Sequence, residues 1–563
     1  MGVSTSLFSG LSGLVAHQRR MDVIGNNIAN VNTTGFRSSR VLFRTAFAQT
    51  LSIGTAPTGN LGGVNPIQIG LGVSVGTTST NFGQGSIETT GVPSDLAVSG
   101  NGFFVVRDGT GRPYYTRDGS FSLGADQILT NSKGMIVQGW TANEDFEISP
   151  SGATDGITIP LGSMRLAKAT QNVFMTGNLN SSGDAGTQGS ILGSQALIDS
   201  STGLAATAGT LLTNLTDAGG VPFYALDDVI TLDAAKGGRD IEPATFTVAA
   251  GSTLGGADPT TSLAEWIEAS LGINTSAAVP GAPGVTLDAG TGALAIEGNY
   301  GTANDITDLV LSSSGAISRP FDMTKSQSAD GESGYTPFAV YDSLGNEVEV
   351  SVAFVCEDKA DGGNTWRWYA ESTGDSDVSR VVGTGTITFD TEGALQSTSD
   401  DQIIVDRADT GSVTPMAIRP DFAQVTQLAA NDSEVALTLQ DGAPEGTLNE
   451  YAIGGNGIVT GIFTNGLVAN LAQIALASFS NNQGLYALGN NLYSPGPNAG
   501  TPQIGAPGSF GSGTLVSGAL EQSNVDLANE FVNLIVTQTG YTANSRVIST
   551  SNDMLVELLN TIR

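Results

Sequence analysis

The sequence predicts a mainly β, multidomain chain, with nested discontinuous β-domains on an α-helical coiled-coil base made from the N- and C-terminal helices. Three observations predict it. Helical periodicity is strong at the two ends and nearly absent between them. Charged residues are only 13% of 563 and glycine numbers 75, the composition of many short strands joined by turns. The middle of the chain repeats short apolar or aromatic runs broken by Asp-Gly pairs.

At the N-terminus Leu7, Leu11, Leu14, Met21 and Ile28 recur at helical steps. At the C-terminus Leu527, Phe531, Leu534, Tyr541, Ile548, Leu555, Leu559 and Ile562 do the same. Such a stripe buries one narrow face against another helix. Neither helix has a partner nearby in sequence, so the expected partners are each other or other copies of the chain. Gln538, Ser545 and Asn552 share the C-terminal face, where polar residues fix register and partner number. The first helix spans 4–31, with Ser4 or Thr5 as cap and Asn30-Val31-Asn32-Thr33-Thr34-Gly35 as its end. Residues 1–50 hold five arginines against Asp22, whereas 524–563 hold two arginines against four acids. The ends are therefore of opposite sign, as expected of neighbours.

Residues 37–75 read as an extended connector. From 76 to 145 hairpin signals follow closely: Phe103-Phe104-Val105-Val106 before Asp108-Gly109, and Tyr114-Tyr115-Thr116-Arg117 before Asp118-Gly119. Glycine there supplies the positive φ of a tight turn. Residues 185–320 carry 14 acids against Lys236, Arg239 and Arg319, with a helix at 262–271 and strands at 245–249 and 294–296. Strand patterning returns at Phe338-Ala339-Val340-Tyr341, in the alternating 348–354, at Trp366-Arg367-Trp368-Tyr369, and through 450–510. The simplest topology is nested. The expected domains are a helical polymerisation domain (1–36 plus 524–563), a connector (37–75 plus 496–523) and an inner β-domain (76–145 plus 416–495). Beyond them come a second β-domain (146–184 plus 321–415) and an outer acidic insert (185–320).

The formal charge is −32, which offers no basic footprint for phosphates and argues against nucleic acid and anionic membrane surfaces. No run of about 18 apolar residues suggests membrane insertion, and the start of the chain lacks the pattern of a cleaved signal peptide. Cys356 is the sole cysteine and His17 the sole histidine, so an intrachain disulfide, a histidine-based triad and a zinc site are not expected. Cys356 reads as a small buried hydrophobe, and His17 as a solvated or interface helix residue. Gly383-Thr384-Gly385 and Gly454-Gly455-Asn456-Gly457 read as glycine turns. The acid pairs Asp227-Asp228 and Asp400-Asp401 read as solvated turns, not glycosidase carboxylates. No catalytic residue, metal or cofactor is expected, and the chain is read as a non-enzyme.

The string Leu7-Phe8-Ser9-Gly10-Leu11-Ser12-Gly13-Leu14 followed by Met21-Asp22-Val23-Ile24-Gly25-Asn26-Asn27-Ile28-Ala29-Asn30-Val31-Asn32-Thr33-Thr34-Gly35-Phe36-Arg37 resembles the N-terminal signature of the flagellar rod and hook proteins. Three other stretches resemble the same family: Val92 to Phe104, Tyr115-Thr116-Arg117-Asp118-Gly119-Ser120-Phe121 through Trp140, and Ser517-Gly518-Ala519-Leu520-Glu521-Gln522-Ser523-Asn524-Val525-Asp526-Leu527. Asn26, Asn27, Ile28, Ala29, Asn30, Asn32, Thr33, Gly35 and Phe36 carry the motif. Rod members are short. The added length, with Tyr341-Asp342-Ser343-Leu344-Gly345-Asn346 and Trp366, resembles the second β-domain of the hook branch.

The resemblance implies a structural subunit that polymerises helically into a flexible, curved, hollow tube, a universal joint passing torque from the basal-body rod to the filament. It implies a homopolymer whose ends meet the distal rod and hook–filament junction proteins, with assembly beneath a hook cap. It implies passage through the flagellar type III export apparatus to an extracellular hook, without a cleaved signal peptide. A distal rod protein with large insertions, and a secreted β-rich adhesin or surface-layer protein, are the rival readings.

Overall fold

The computed structural model describes residues 2–217, 219–276, 279–315, 317–400 and 402–561. Among these residues there are three α-helices, α1 (Gly2–Ala29), α2 (Leu263–Ser270) and α3 (Leu527–Thr561). Among the described residues the remaining regular structure is strands and short 3-10 turns. The chain divides into two compact units: Met1–Met164 with Thr447–Arg563, and Arg165–Gly446.

In the first unit α1 and α3 pack together, antiparallel by their contacts: Ser6 Oγ lies 3.1 Å from Ser551 Oγ, and Asn27 at the other end of α1 meets Glu530. α1 begins at Gly2, so Ser4 and Thr5 lie inside its first turns and do not cap it. α3 is capped by Asp526, whose Oδ1 accepts from the Ala528 and Asn529 amides at 2.9 and 3.2 Å, where the helix dipole favours a carboxylate. Residues 39–80 form a long antiparallel ribbon: Ser39–Thr45 pairs with Val73–Thr80, and Ala48–Ser52 with Ile67–Gly70. An extended connector was the expectation; the strands instead close on each other in an antiparallel register that brings Val41 opposite Thr78 and Phe43 opposite Val75.

The inner β-domain of this unit interleaves the two halves of the chain. Ile458–Phe463, Val468–Ile474, Ile136–Thr141, Phe103–Arg107, Pro113–Thr116, Leu492–Pro495 and Leu485–Gly489 lie side by side in that order, all antiparallel. Phe103, Val105, Tyr115, Ala477 and Tyr493 form its aromatic core. The Tyr115 and Phe479 rings meet edge to face at 4.8 Å. The two Asp-Gly pairs work differently from expectation. Asp108 Oδ1 accepts from Thr110 and Arg112 amides, and the positive φ falls on Gly111, not Gly109. At Gly119 the backbone passes so close to the Leu96 carbonyl that no Cβ fits.

Among the described residues the second unit has two large cores. In one, a five-stranded meander from Ser333–Tyr341 to Leu395–Ser399 packs on a sheet ordered Ile403–Val405, Met416–Leu428, Asn172–Asn180, Glu434–Gln440. Trp366, Trp368, Phe354, Phe422 and Phe389 fill the space between. Met416–Leu428 and Glu434–Gln440, assigned on sequence to the inner domain, instead flank Asn172–Asn180 here. Alternation shows that a strand is half-buried but not which sheet receives it. Gly383 and Gly385 are not in a turn. They sit within Val381–Phe389, opposite Ala370 and Trp368, and a Cβ on Gly385 would lie 2.8 Å from Trp368 Nε1. Cys356 is buried in this core.

The other core belongs to the acidic insert. Trp266 and Phe246 pack at 5.5 Å, and Phe223, Tyr224 and Phe321 cluster beside Ile230 and Leu232. α2 follows Ser262, whose hydroxyl donates to the Glu265 carboxylate without capping a helix amide. Asp227 has φ +65° and Asp228 Oδ2 accepts from the Ala225 amide at 2.7 Å, a turn. The Asp400-Asp401 pair and Ile562 involve positions outside the described residues.

Candidate functional site

The two chain ends meet along a face made of small and polar residues. The α1 side presents Gly10, Gly13, Ala16, Ile24 and Asn27, all buried. A Cβ at Gly10 would lie 3.0 Å from Ile548 Cγ1, and one at Gly13 would overlap the Asn544 side chain. His17 fills the space over Gly540, where a Cβ would lie 2.5 Å from His17 Cε1. The His17 ring meets Phe43 edge-on at 5.5 Å. Burial, and then the nearby Arg20 charge, lowers its pKa from 6.5. Arg20 Nη2 donates to Asn533 Oδ1 at 3.1 Å, and Asn27 Nδ2 donates to Glu530 Oε1 at 3.1 Å. On α3 only Thr537 and Ser551 are fully buried among the described residues.

The apolar stripes read from sequence are divided between this contact, where Ile548 packs at Gly10, and the surface. Leu7, Leu14, Met21, Ile28, Leu534, Tyr541, Ile548 and Leu555 are half-buried, while Leu11, Leu527, Phe531 and Leu559 are exposed. Phe531 is 50%, Ile535 62% and Phe8 68% exposed. Gln538, Ser545 and Asn552 are exposed beside them. The pair therefore closes on glycines, polar groups and a few apolar side chains such as Ile24 and Ile548, and leaves other long apolar side chains outward. The ribbon does likewise, with Phe47 at 78% and Ile53 at 83% exposure.

The motif after α1 builds the junction to the inner β-domain. Asn27 brackets Ser39, donating to its carbonyl at 2.7 Å and accepting from its amide at 3.0 Å. Asn30 Nδ2 donates to the Asn26 carbonyl and Thr33 Oγ1 to Asn30 Oδ1, closing the helix end. Ile28 and Ala29 form the last turn, Asn32 is exposed, and the Phe36 amide donates to the Thr33 carbonyl. Gly35 has φ +66°, and a Cβ there would lie 2.7 Å from the Asp118 amide nitrogen. Only glycine meets both demands.

Three charged residues lie beneath this turn. Arg37 Nη2 donates to both Glu521 oxygens at 2.8 and 3.0 Å, and Arg117 Nη1 donates to Glu521 Oε2 at 3.2 Å. The Glu521 and Arg37 side chains are wholly buried and Arg117 nearly so. Desolvation lowers the Arg117 pKa to about 10, against the opposing pull of Glu521. Sequence reading placed these residues inside motif strings without seeing them as a group. The available signal was Glu521 alone, the sole charge between Glu450 and Asp526.

The residues singled out for possible chemistry stand apart. Cys356 is in the second unit, its thiol pushed up to about 11 by burial. His17 is on the helical pair. Among the described residues no cluster of His, Cys, Asp and Glu is placed to hold a metal ion.

Family models match along the chain: "Flagella basal body rod protein" over 7–37, "Flagellar hook protein FlgE/F/G D1 domain" over 97–174, "Flagellar basal body protein FlaE D2 domain" over 311–443, and "Flagellar basal body rod FlgEFG protein C-terminal" over 516–561. With the paired terminal helices and interleaved β-domains, these define a flagellar rod- and hook-type axial protein. The flagellar hook protein FlgE of Borreliella burgdorferi is 31% identical over 98% of both chains. That of Treponema pallidum is 29% identical over 99% of both. A crystal structure of Helicobacter pylori flagellar hook protein FlgE2 covers 77% of this chain at 16% identity with a TM-score of 0.39. The chain belongs to the flagellar hook protein FlgE family and is a structural subunit of the hook.

Proposed function

We propose that the outward faces of α1 and α3 are the inter-subunit contacts through which the chain polymerises helically into the hook tube. One observation carries this reading: the helical pair closes on small and polar residues and leaves Phe8, Leu11, Val15, Phe531, Val532 and Ile535 exposed. Full burial of a large apolar side chain contributes roughly 1.5–3 kcal/mol. Six of them supply at most roughly 9–18 kcal/mol, against an association cost of roughly 4–15 kcal/mol. A single pairwise contact is thus marginal, and a lattice in which each helix meets several neighbours is favoured.

The tube so formed is a flexible, curved universal joint that passes torque from the basal-body rod to the filament, and the protein has no catalytic role. Its ends meet the distal rod and hook–filament junction proteins, it assembles beneath a cap, and it is exported by the flagellar type III apparatus without a cleaved signal peptide. The test is negative-stain electron microscopy of purified, polymerised protein. Phe531→Asp with Ile535→Asp, and separately Leu534→Asp with Leu555→Asp, are expected to abolish tubes while circular dichroism of the β-domains is unchanged. Tubes formed by these variants would refute the helical-face reading. Straight tubes from the unaltered chain would refute the curved-tube reading.

A further inference from the structure

We propose that Arg37, Glu521 and Arg117 form a rigid clasp that fixes the direction of the helical pair on the inner β-domain of the same unit. Three separate stretches of chain converge there: the turn after α1, residues 81–91, and the strand that leads into α3. The Glu521 carboxylate binds a group from each. It accepts from Arg37 of the first at 2.8 Å and from the Gly85 amide of the second at 2.8 Å, and it is itself on the third. Arg117, from the inner sheet, completes the set.

The charge count makes the cluster more than a pair. Two guanidinium groups share one carboxylate, so one positive charge is buried in excess. Its compensation is backbone and ring: Arg37 donates to the Gly83 carbonyl at 2.8 Å, Arg117 to the Gly100 carbonyl at 2.7 Å, and the Arg117 guanidinium stands 5.4 Å from the Phe103 ring centroid. A buried charge held by fixed dipoles has no alternative arrangement of similar energy nearby. The backbone locks around it. The Gly35 amide donates to the Glu521 carbonyl at 2.7 Å, and Asn524 ties the Ser38 amide to the Asn81 and Gly83 carbonyls.

Glycine-rich connectors suggest a loose joint between helices and β-domain. The clasp makes this junction stiff instead. If the chain forms a bending tube, as proposed above, the bending is taken up at other places. The clasp itself is a property of the single chain and does not depend on that reading.

The experiment measures a spin-label distance in dilute full-length protein, with Ala528→Cys at the start of α3 and Ser132→Cys on an exposed loop of the inner domain. Cys356 is buried and does not label. A narrow distance distribution is expected in the unaltered clasp. Broadening is expected in Glu521→Gln and in Arg37→Lys, with the near-ultraviolet dichroism of the protein's buried aromatic residues unchanged. A broad distribution with the clasp intact would overturn the proposal, as would equally narrow distributions in both variants. Loss of the fold in both variants would also overturn it, because the cluster would then be a general stability element and not a positioning one. If only Glu521→Gln fails to fold, Arg37→Lys decides.

Discussion

Single residues at the helical base act through space and charge. Gly35→Ala must place a methyl group against the Asp118 amide at φ +66°. Left-handed strain alone costs roughly 1–2 kcal/mol, so a stability loss of about 2 kcal/mol or more is expected, read from the urea midpoint. His17 gives a pH dependence with a definite sign. Its folded pKa lies below 6.5 because burial, then Arg20, disfavours the imidazolium. The unfolded chain therefore binds the proton first as pH falls. Stability of the pair is flat above about pH 6.5 and declines below it toward the lowered folded value. Urea titrations across pH 5–7 should show a smaller decline in His17→Gln than in the natural chain, the difference being the histidine's share. The motif residues themselves were legible in the sequence. Their roles were not, because Asn27, Gly35 and Glu521 act on partners up to several hundred positions away.

At the scale of elements, the helices at both ends were legible because a stripe at helical steps is a local property. Which face turns inward was not. The stripe marked long apolar residues, of which Ile548 packs at Gly10, but the closest approach of the two helices is over Gly10, Gly13 and Gly540, which the stripe did not include. Small residues carry little periodic signal, so the intrachain face was hidden beneath the stronger outward one. A pair held by polar bonds and small contacts is weakly protected in a single chain. Hydrogen exchange in unpolymerised protein should be faster in α1 and α3 than in Gly363–Ser372, whose Trp366 and Trp368 are core residues. Polymerisation should slow the helices selectively. Equal protection before and after assembly would contradict the proposed contact.

For the whole molecule the insert is the informative part. It leaves and rejoins the second β-domain at one point, where the Glu332 amide donates to the Asp184 carbonyl at 2.8 Å. It is nevertheless not a loose appendage. Val279 and Tyr300 cover Val355 and Tyr369, and the buried Lys236 donates to the Leu271 and Gly272 carbonyls and to Glu371. Replacing 186–330 by a short glycine linker is expected to leave both flanking β-domains folded. It should also lower the melting temperature of the second β-domain in calorimetry, since two core side chains worth roughly 1.5–3 kcal/mol each become exposed. Unchanged melting, stability and curvature of the polymer would remove any essential role for the insert.

The sequence by itself determined the β-rich composition, the two terminal helices, the family motif and the nested order, because periodicity, turn chemistry and motif strings are local. Only the tertiary structure decided which sheet takes Met416–Leu428, that residues 39–80 close into a ribbon, and that the helical pair meets over its glycines and leaves Phe8, Phe531 and Ile535 exposed. It alone brought Arg37, Arg117 and Glu521 onto one another. Each of those outcomes depends on pairing between distant segments, and the energy of such pairing is written in no single stretch of chain.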